Sequence, residues 1–274
     1  MFWTRLLSGA VLLVIAFGAF LLGSPFLTVL CFLISLIGYR ELTKALEVSQ
    51  TPDKKGFSAP EIVGYLGVMA YYGILLFSDS VFPSAFLLAC VVFVFLAEMF
   101  VYVFAFPKYR AEQIGFSFFS FVYAPVMLSF IDLTRAGDDG KFLVWYILIC
   151  SWGCDTCAYV VGKLIGKKKI FPELSPKKSL EGCVGGVVGA ALIGMIYGYF
   201  VLDPTWEELA LLGVICAAGA VMSMVGDLAA SAIKRNKGIK DYGRLIPGHG
   251  GIMDRFDSVI VTAPIVFFLL TLIK

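Results

Sequence analysis

Three aspartates stand inside or at the edge of apolar stretches, an unusual place for a charge. Asp155 lies in CSWGCDTCAYVV, Asp227 in MSMVGDLAAS and Asp254 in GGIMDRFDSVIV, with Asp257 one helical turn further on. A charge at the centre of a membrane helix costs about 3 kcal/mol on insertion scales, so such residues are functional candidates. Facing carboxylates repel unless a cation lies between them, and hard oxygen ligands suit Mg²⁺. We therefore predict that Asp227, Asp254 and Asp257 bind Mg²⁺, with a second metal ion left open.

Asp227 and Asp254 are candidates for one site because a single polar loop joins the segments that carry them. The loop begins at Lys234 and reads KRNKGIKDYGRLIPGHGGIMDRFDS. On a helix, Asp227, Ser231 and Lys234 fall on one face and form a polar stripe towards the loop. We expect the loop to bring the two carboxylates together. The alternative is that each aspartate pairs with a nearby basic residue, as Asp254 could with Lys240.

Basic residues and glycines near these acids fit phosphate binding. In LSPKKSLEG, Ser175 is a candidate N-cap and Pro176 a candidate first helical residue, which predicts Lys177 and Lys178 in the first turn of a helix. The helix dipole disfavours positive charge there unless an anion is bound, and the free N–H groups bind anions too. The PGHGG turn at 247–251 offers further amides for a phosphate, although it is not a Walker A loop.

The composition places these residues in an integral membrane protein. Hydrophobic residues make up 59% of the 274 positions and charged residues only 15%, and the mean hydropathy is +0.89. The net charge of +2 is too small to predict nucleic-acid binding. Most of the seven cysteines lie in apolar runs. Cys154 and Cys157 form a lone CxxC, which we interpret as packing residues rather than a disulfide or zinc site.

Nine segments are apolar and long enough to cross a bilayer as helices, which predicts an all-α, polytopic helix bundle. They are 5–23, 25–39, 62–78, 82–106, 114–133, 141–162, 181–202, 208–233 and 254–273. We treat 1–274 as a single membrane domain, with helices one to five in 1–140 and helices six to nine, which carry the active site, in 141–274.

The lysines and arginines indicate how the chain crosses the membrane. With the N-terminus in the cytoplasm, all but three of the 22 basic residues lie on the cytoplasmic side, the exceptions being Arg135, Lys141 and Lys274. The two most elaborate polar loops then face the cytoplasm, where nucleotides are. We predict a bacterial-type inner-membrane protein, in contact with membrane lipids, with a cytoplasmic active site.

Glycines spaced four apart predict close helix packing in the seventh helix. Gly185 and Gly189 form one pair, and Gly194 and Gly198 form another. We favour packing within one bundle; a homodimer through such a face is the alternative.

Two phosphate sites beside a carboxylate-bound metal predict phosphoryl or nucleotidyl transfer to a lipid. The long polar loop, with the residues just before it, also resembles a known family signature. The run SAIKRNKGIKDYGRLIPGHGGIMDRFD is similar to that of the CDP-diacylglycerol synthases, or phosphatidate cytidylyltransferases. The matching positions are Ser231, Lys234, Arg235, Lys240, Asp241, Pro247, His249, Gly250, Gly251, Asp254, Arg255 and Asp257. DTCAYVVGKLIGKKK and LSPKKSLEG resemble two further blocks of the family.

The resemblance implies that phosphatidic acid attacks the α-phosphorus of CTP, with Mg²⁺ required, to give CDP-diacylglycerol and pyrophosphate. By position, Asp227 and Asp254 would hold metal, and His249 would place a phosphate or the loop rather than act as a base. The catalytic set it implies is Asp227, Asp254, Lys240, His249 and Arg255. The substrate-binding set is Lys177, Lys178, Ser231, Lys234, Arg235, Gly250, Gly251 and Asp155.

Two positions depart from the family's usual pattern. Ala230 replaces the acidic residue that usually precedes the signature serine, and Cys157 replaces a usual glycine. If the missing acid normally helps to bind metal, Ala230 predicts weaker metal binding or lower activity.

Two other classes of protein compete with this interpretation. A polyprenol or phytol kinase would also be polytopic and use CTP, but is not expected to carry the whole signature. A transporter could use Asp155, Asp227 and Asp254 as ion ligands, and inverted repeats with broken helices would favour it. Neither feature is visible in the sequence, and the charges cluster towards one membrane face.

Overall fold

The computed structural model of the protein describes residues 2–49, 56–77, 83–246 and 250–272. Within those ranges the chain forms nine helices, numbered α1 to α9 in chain order, which confirms the predicted all-α architecture. Their bounds are Phe2–Leu22, Phe26–Ala45, Ala59–Phe77, Pro83–Phe104, Ala111–Ala136, Gly140–Ile165, Leu180–Val201, Trp206–Asn236 and Met253–Thr271.

Seven of the described helices, α2 to α8, are long and apolar enough to cross a membrane. Together with the apolar composition, they confirm a polytopic integral membrane protein. α5 and α6 each contain a short π-helical stretch, Val122–Val126 and Ile149–Gly153. The first includes Pro125, which has no N–H to donate to a helical hydrogen bond.

The chain forms two compact units. Unit 1 comprises Met1–Asp132 and Asp241–Asp254, and unit 2 comprises Leu133–Lys240 and Arg255–Lys274. The long polar loop therefore contributes residues to both units, and the proposed division of the domain at residue 140 stays a prediction.

Unit 1 buries aromatic rings together with hydrogen-bonded polar groups. Tyr39 is fully buried, and its hydroxyl lies 2.8 Å from Ser117 Oγ. Ser117 in turn donates to Glu98 Oε1 over 2.6 Å. Asp132 accepts from the Thr28 hydroxyl over 2.9 Å. These contacts reduce the cost of burying polar groups among apolar helices.

Unit 2 is held together by small residues where its helices cross. A Cβ added at Gly185 would lie 2.6 Å from Val161 Cβ, and one at Gly189 would lie 2.5 Å from Cys157 Sγ. One at Gly198 would lie 2.6 Å from the Tyr146 hydroxyl. The glycines therefore allow α7 to pack closely on α6 within the chain, which confirms the predicted packing role.

The predicted end of α2 at residue 39 and the predicted N-cap of α7, Ser175, are both wrong. α2 continues to Ala45, beyond the predicted end at 39, so Arg40, Glu41 and Lys44 are helical rather than part of a loop. α7 begins at Leu180, and its N-cap is Ser179, whose hydroxyl accepts from Gly182 N over 3.2 Å.

The two lysines predicted in the first turn of α7 lie before it instead. An isolated antiparallel bridge pairs Lys169 with Ser179. Lys178 N also donates to Ser175 O over 3.1 Å, closing a turn before the helix starts. Lys178 is thus held by a bridge and a turn rather than by the helix.

Candidate active site

Lys178 and Asp227 form an ion pair in unit 2. Lys178 Nζ lies 2.6 Å from Asp227 Oδ2, and both side chains are largely buried. The bridge and turn before α7 present the lysine, and α8 presents the aspartate. This contact joins a predicted phosphate-binding residue directly to a predicted metal ligand.

Two more carboxylates lie near this pair. Asp155 on α6 and Asp257 on α9 are each in electrostatic range of Asp227 and of one another. Lys178 and Arg255 attract Asp155, and Lys234 attracts Asp257. Unit 2 therefore gathers three of the predicted acidic residues and three of the predicted basic ones.

A cavity of about 420 Å³ adjoins this cluster in unit 2. Its charged lining residues are Asp155, Lys163, Lys169, Lys177 and Lys178. Gly162 and Gly182 line it where α6 meets the start of α7, and an added Cβ on Gly182 would lie 2.9 Å from Ala158 O. The volume is within the range of small-molecule sites, and four lysines in the lining suit a polyphosphate.

Gly226 allows α8 and α9 to approach beside the acidic cluster. A Cβ at this position would lie 2.7 Å from Asp257 O and 3.0 Å from Val261 Cβ. Backbone cannot yield as a flexible side chain can, so any larger residue must separate the two segments. Gly226 thus sets the distance between the segment of α8 that contains Asp227 and the segment of α9 that contains Asp257.

Gly226→Ala is expected to lower the thermal unfolding midpoint and to reduce catalytic turnover, because it displaces α9 from α8 at the carboxylates. Differential scanning fluorimetry and an activity assay on the purified chain measure the two effects. Gly73→Ala is the matched control, since a Cβ there meets nothing within 4 Å. Equal behaviour of the two variants would contradict this role for Gly226.

In unit 1, Asp254 organises the glycine turn. Asp254 Oδ2 accepts from Tyr242 N and Gly251 N, each over 2.9 Å, and the side chain is only 8% exposed. Gly250 has a φ of 84°, which glycine adopts readily. A Cβ on Gly250 would lie 2.8 Å from Asp254 Oδ2. A side chain at Gly250 would therefore clash with the Asp254 carboxylate. The Gly251 amide donates its hydrogen bond to the same carboxylate.

Glu41 holds the start of α9 and was missed by the sequence analysis. Its Oε1 accepts from Ile252 N over 3.1 Å and its Oε2 from Met253 N over 2.9 Å. These are N–H groups that a helix N-terminus leaves without intrahelical partners. Both Gly243 and Gly251 lie against the Glu41 carboxylate.

Four acidic residues of unit 1 are buried although none of them was predicted to belong to a site. All four are under a tenth exposed: Glu41, Glu61, Glu98 and Asp132. Glu98 stands in FVFLAEMFVYVF, as isolated among apolar residues as Asp227 is. Glu41 was not predicted because the second apolar segment was expected to end at residue 39, before Glu41.

The remaining predicted residues fall in different parts of the molecule. Ser231 and Lys234 are half-buried in α8, and Arg235, Lys240 and Arg255 are exposed, all in unit 2. His249 and Pro247 lie outside the described residues. Ala230 is fully buried in α8.

The predicted Mg²⁺ site depends on how its carboxylate side chains are arranged. Within the described ranges, no three histidine, cysteine, aspartate or glutamate side chains form a group that could hold a metal ion. The chemistry of the donors fits Mg²⁺, because Asp227 and Asp257 offer hard carboxylate oxygens and repel one another in unit 2. Asp254 belongs to unit 1, so its pairing with Asp227 at one metal stays a prediction.

Comparison with known proteins adds a family and several relatives. A family model described as "Cytidylyltransferase family" matches residues 3–273. A phosphatidate cytidylyltransferase of Bacillus subtilis is 37% identical over 162 residues, 59% of this chain and 60% of its own. One from Synechocystis sp. is 43% identical over 125 residues, 45% of this chain and 41% of its own. One from Staphylococcus aureus is 36% identical over 163 residues, 60% of this chain and 61% of its own. The chain thus spans less than two thirds of the length of each of these relatives.

Proposed function

Because the chain belongs to the cytidylyltransferase family, we propose that it is a phosphatidate cytidylyltransferase. In this reaction a phosphate oxygen of phosphatidic acid attacks the α-phosphorus of CTP and forms a new P–O bond. The bond from the α-phosphorus to the oxygen bridging to the β-phosphorus breaks. The products are CDP-diacylglycerol, which carries the CMP group, and pyrophosphate, which takes the displaced electron pair.

The observation that carries this proposal is the lysine-lined cavity beside three carboxylates in unit 2. Transfer between phosphates is catalysed mainly by holding the groups in place and neutralising their charge. Lys163, Lys169, Lys177 and Lys178 line a cavity that can receive a triphosphate. The named relatives support a cytidine nucleotide and a lipid acceptor.

The ion pair suggests how the site changes when substrate enters. Lys178 neutralises Asp227 in this structure. A triphosphate in the cavity offers Lys178 a stronger anionic partner, and Asp227 is then available for a divalent cation. Asp227 and Asp257, with Asp254, would hold Mg²⁺, which when bound neutralises phosphate charge and draws electrons from the reacting phosphorus.

The basic residues of the long loop complete the proposed site. Lys234, Arg235, Lys240 and Arg255 contact phosphates in this proposal, Arg255 also balancing Asp155. His249 places the loop or a phosphate and is not a general base, since the phosphate monoester of the acceptor is already nucleophilic.

The active site faces the cytoplasm in this proposal, and the protein lies in a bacterial inner membrane. The support is the strong bias of lysine and arginine to one side of the predicted topology. CTP is supplied from that side.

The function is tested by giving the purified chain labelled CTP, phosphatidic acid and Mg²⁺ in detergent or vesicles. Labelled lipid and an equal amount of pyrophosphate are expected, and EDTA is expected to stop both. Diacylglycerol in place of phosphatidic acid is the control, because it lacks the attacking phosphate. A folded sample that yields no labelled lipid in several detergents and lipids would contradict the proposal.

Lys178→Gln is expected to raise the KM for CTP by about tenfold or more, because a charge-assisted contact to phosphate is lost. Steady-state kinetics with CTP varied at saturating phosphatidic acid measure the change. Lys167→Gln is the matched control, since Lys167 is exposed in the same loop and lies outside the cavity lining. A KM for CTP that is unchanged in Lys178→Gln would remove Lys178 from the nucleotide site.

A further inference from the structure

Unit 1 contains a larger cavity, of about 740 Å³, whose lining includes none of the residues proposed to bind CTP or Mg²⁺. It lies between the end of α2, the first half of α3 and the loop at 242–245. Its apolar lining residues are Leu36, Ile37, Phe57, Ile62, Leu66, Met69 and Leu245. Its basic lining residues are Arg40, Lys44 and Arg244.

The polar end of the cavity carries excess positive charge. Arg40 and Lys44 are one turn apart on α2, and Arg244 comes from the loop. Among the residues that the structure describes, none of these three forms an ion pair with an acidic side chain. Among the described lining residues Glu41 is the one acid, and its two oxygens accept backbone N–H groups at the start of α9.

The rest of the cavity is continuous with the apolar outer surface of α3. Ile62, Leu66 and Met69 follow one another at intervals of four and three residues, so they share a face of the helix. Each is about half exposed while also lining the cavity. Since α3 is one of the helices able to cross a membrane, this face is open to lipid acyl chains.

We propose that this cavity is the binding site for phosphatidic acid, with the phosphate monoester against Arg40, Lys44 and Arg244. The first part of an acyl chain lies along Leu66 and Met69. A phosphate monoester carries a charge of about −1.5 to −2 at neutral pH, which the three basic side chains can balance. A nucleotide triphosphate has no apolar part to cover α3. The identity of the lipid rests on the proposed function; the site itself rests on the cavity.

The binding test uses the full chain in detergent with dioctanoyl phosphatidic acid and no CTP. The double variant Lys44→Gln, Arg244→Gln is expected to raise the Kd for this lipid by about tenfold or more, from two lost charge-assisted contacts. Arg40 is left intact because its guanidinium packs 5.1 Å from the centre of the Phe57 ring. Lys108→Gln is the matched control, a basic residue of unit 1 outside the lining.

A second variant tests the apolar end without changing charge. Leu66→Trp is expected to fill the space for the acyl chain and to raise the Kd for phosphatidic acid. Leu88→Trp is its control, because Leu88 is equally apolar and exposed on α4, away from the cavity. In turnover assays, both cavity variants are expected to raise the KM for phosphatidic acid and to leave the KM for CTP unchanged.

The outcomes separate this proposal from the proposed function. One outcome is that wild type binds phosphatidic acid but makes no CDP-diacylglycerol, and that the cavity variants lose this binding. The proposed lipid site is then supported and the proposed reaction is contradicted. If wild type is active and the cavity variants bind phosphatidic acid as well as the controls do, the site is overturned and the reaction stands. A loss of CTP binding equal to the loss of lipid binding also overturns the site, because the cavity would then serve the nucleotide.

Discussion

Asp254→Asn is expected to lower the rate of CDP-diacylglycerol formation by about 100- to 1,000-fold, the range seen when one electrostatic group of an active site is removed. The fold is expected to survive, because asparagine has the same shape and keeps one carbonyl oxygen. That oxygen can still accept from Tyr242 N and Gly251 N, the two amides that Asp254 Oδ2 holds. The substitution therefore removes the negative charge and leaves the glycine turn in place.

The measurement is kcat at saturating CTP and phosphatidic acid, beside the thermal midpoint of the same preparation. Asp203→Asn is the matched control: Asp203 is exposed with a φ of 49°, a conformation that asparagine also tolerates. Asp254→Ala adds the loss of the two hydrogen bonds and is expected to lower the midpoint as well. A folded Asp254→Asn variant with near-normal kcat would show that Asp254 only organises the turn.

The helices could be predicted from the sequence because hydropathy alone decides most of them. A run of about 20 apolar residues can satisfy its backbone in a membrane only as a helix. The nine predicted segments accordingly match α1 to α9, most to within three residues at each end. The glycine spacing of α7 predicted close packing for the same kind of reason, since no side chain other than hydrogen leaves room for Val161 and Cys157.

The polar ends of helices were harder to predict, because hydropathy does not indicate where a helix ends among polar residues. α2 was expected to stop before Arg40, yet it continues for more than a turn. Glu41 is stabilised at that end by the amides of Ile252 and Met253, more than 200 residues later in the chain. Likewise Ser175 and Ser179 are both plausible N-caps, and the bridge between Lys169 and Ser179 favours the second.

The candidate site shows the same division between local and distant information. Asp155, Asp227 and Asp257, which the sequence singled out, interact electrostatically in unit 2, and their roles as metal or substrate ligands stay predictions. The direct contact between Lys178 and Asp227 could not be predicted from sequence spacing, because Lys178 lies in the loop before α7 and Asp227 lies on α8. Cys157, predicted to replace a usual glycine, illustrates a related point, because Gly189 leaves space for its side chain.

Glu41→Gln is expected to destabilise the protein by about 2–4 kcal/mol, although the two side chains have nearly the same shape. Both partners of Glu41, Ile252 N and Met253 N, are donors. A carboxylate can accept from both, whereas a carboxamide has one oxygen and must turn its own N–H groups towards the second donor. The side chain is only 8% exposed, and Gly243 and Gly251 pack directly against its carboxylate, which leaves little room for water to replace the lost acceptor.

The thermal midpoint in detergent is expected to fall by on the order of 10 °C, and turnover to fall with it, because the start of α9 also carries Asp254. Glu112→Gln is the matched control, since Glu112 pairs with Arg110 at an exposed site, where an ion pair contributes little. Comparison with Asp254→Asn distinguishes the two acids. If Glu41 anchors the loop, its variant loses stability and activity together, whereas the Asp254 variant loses activity alone. A Glu41→Gln variant as stable as Glu112→Gln would mean that the start of α9 is held by other contacts, and Glu41 would then be a lining residue of the unit 1 cavity without a structural role.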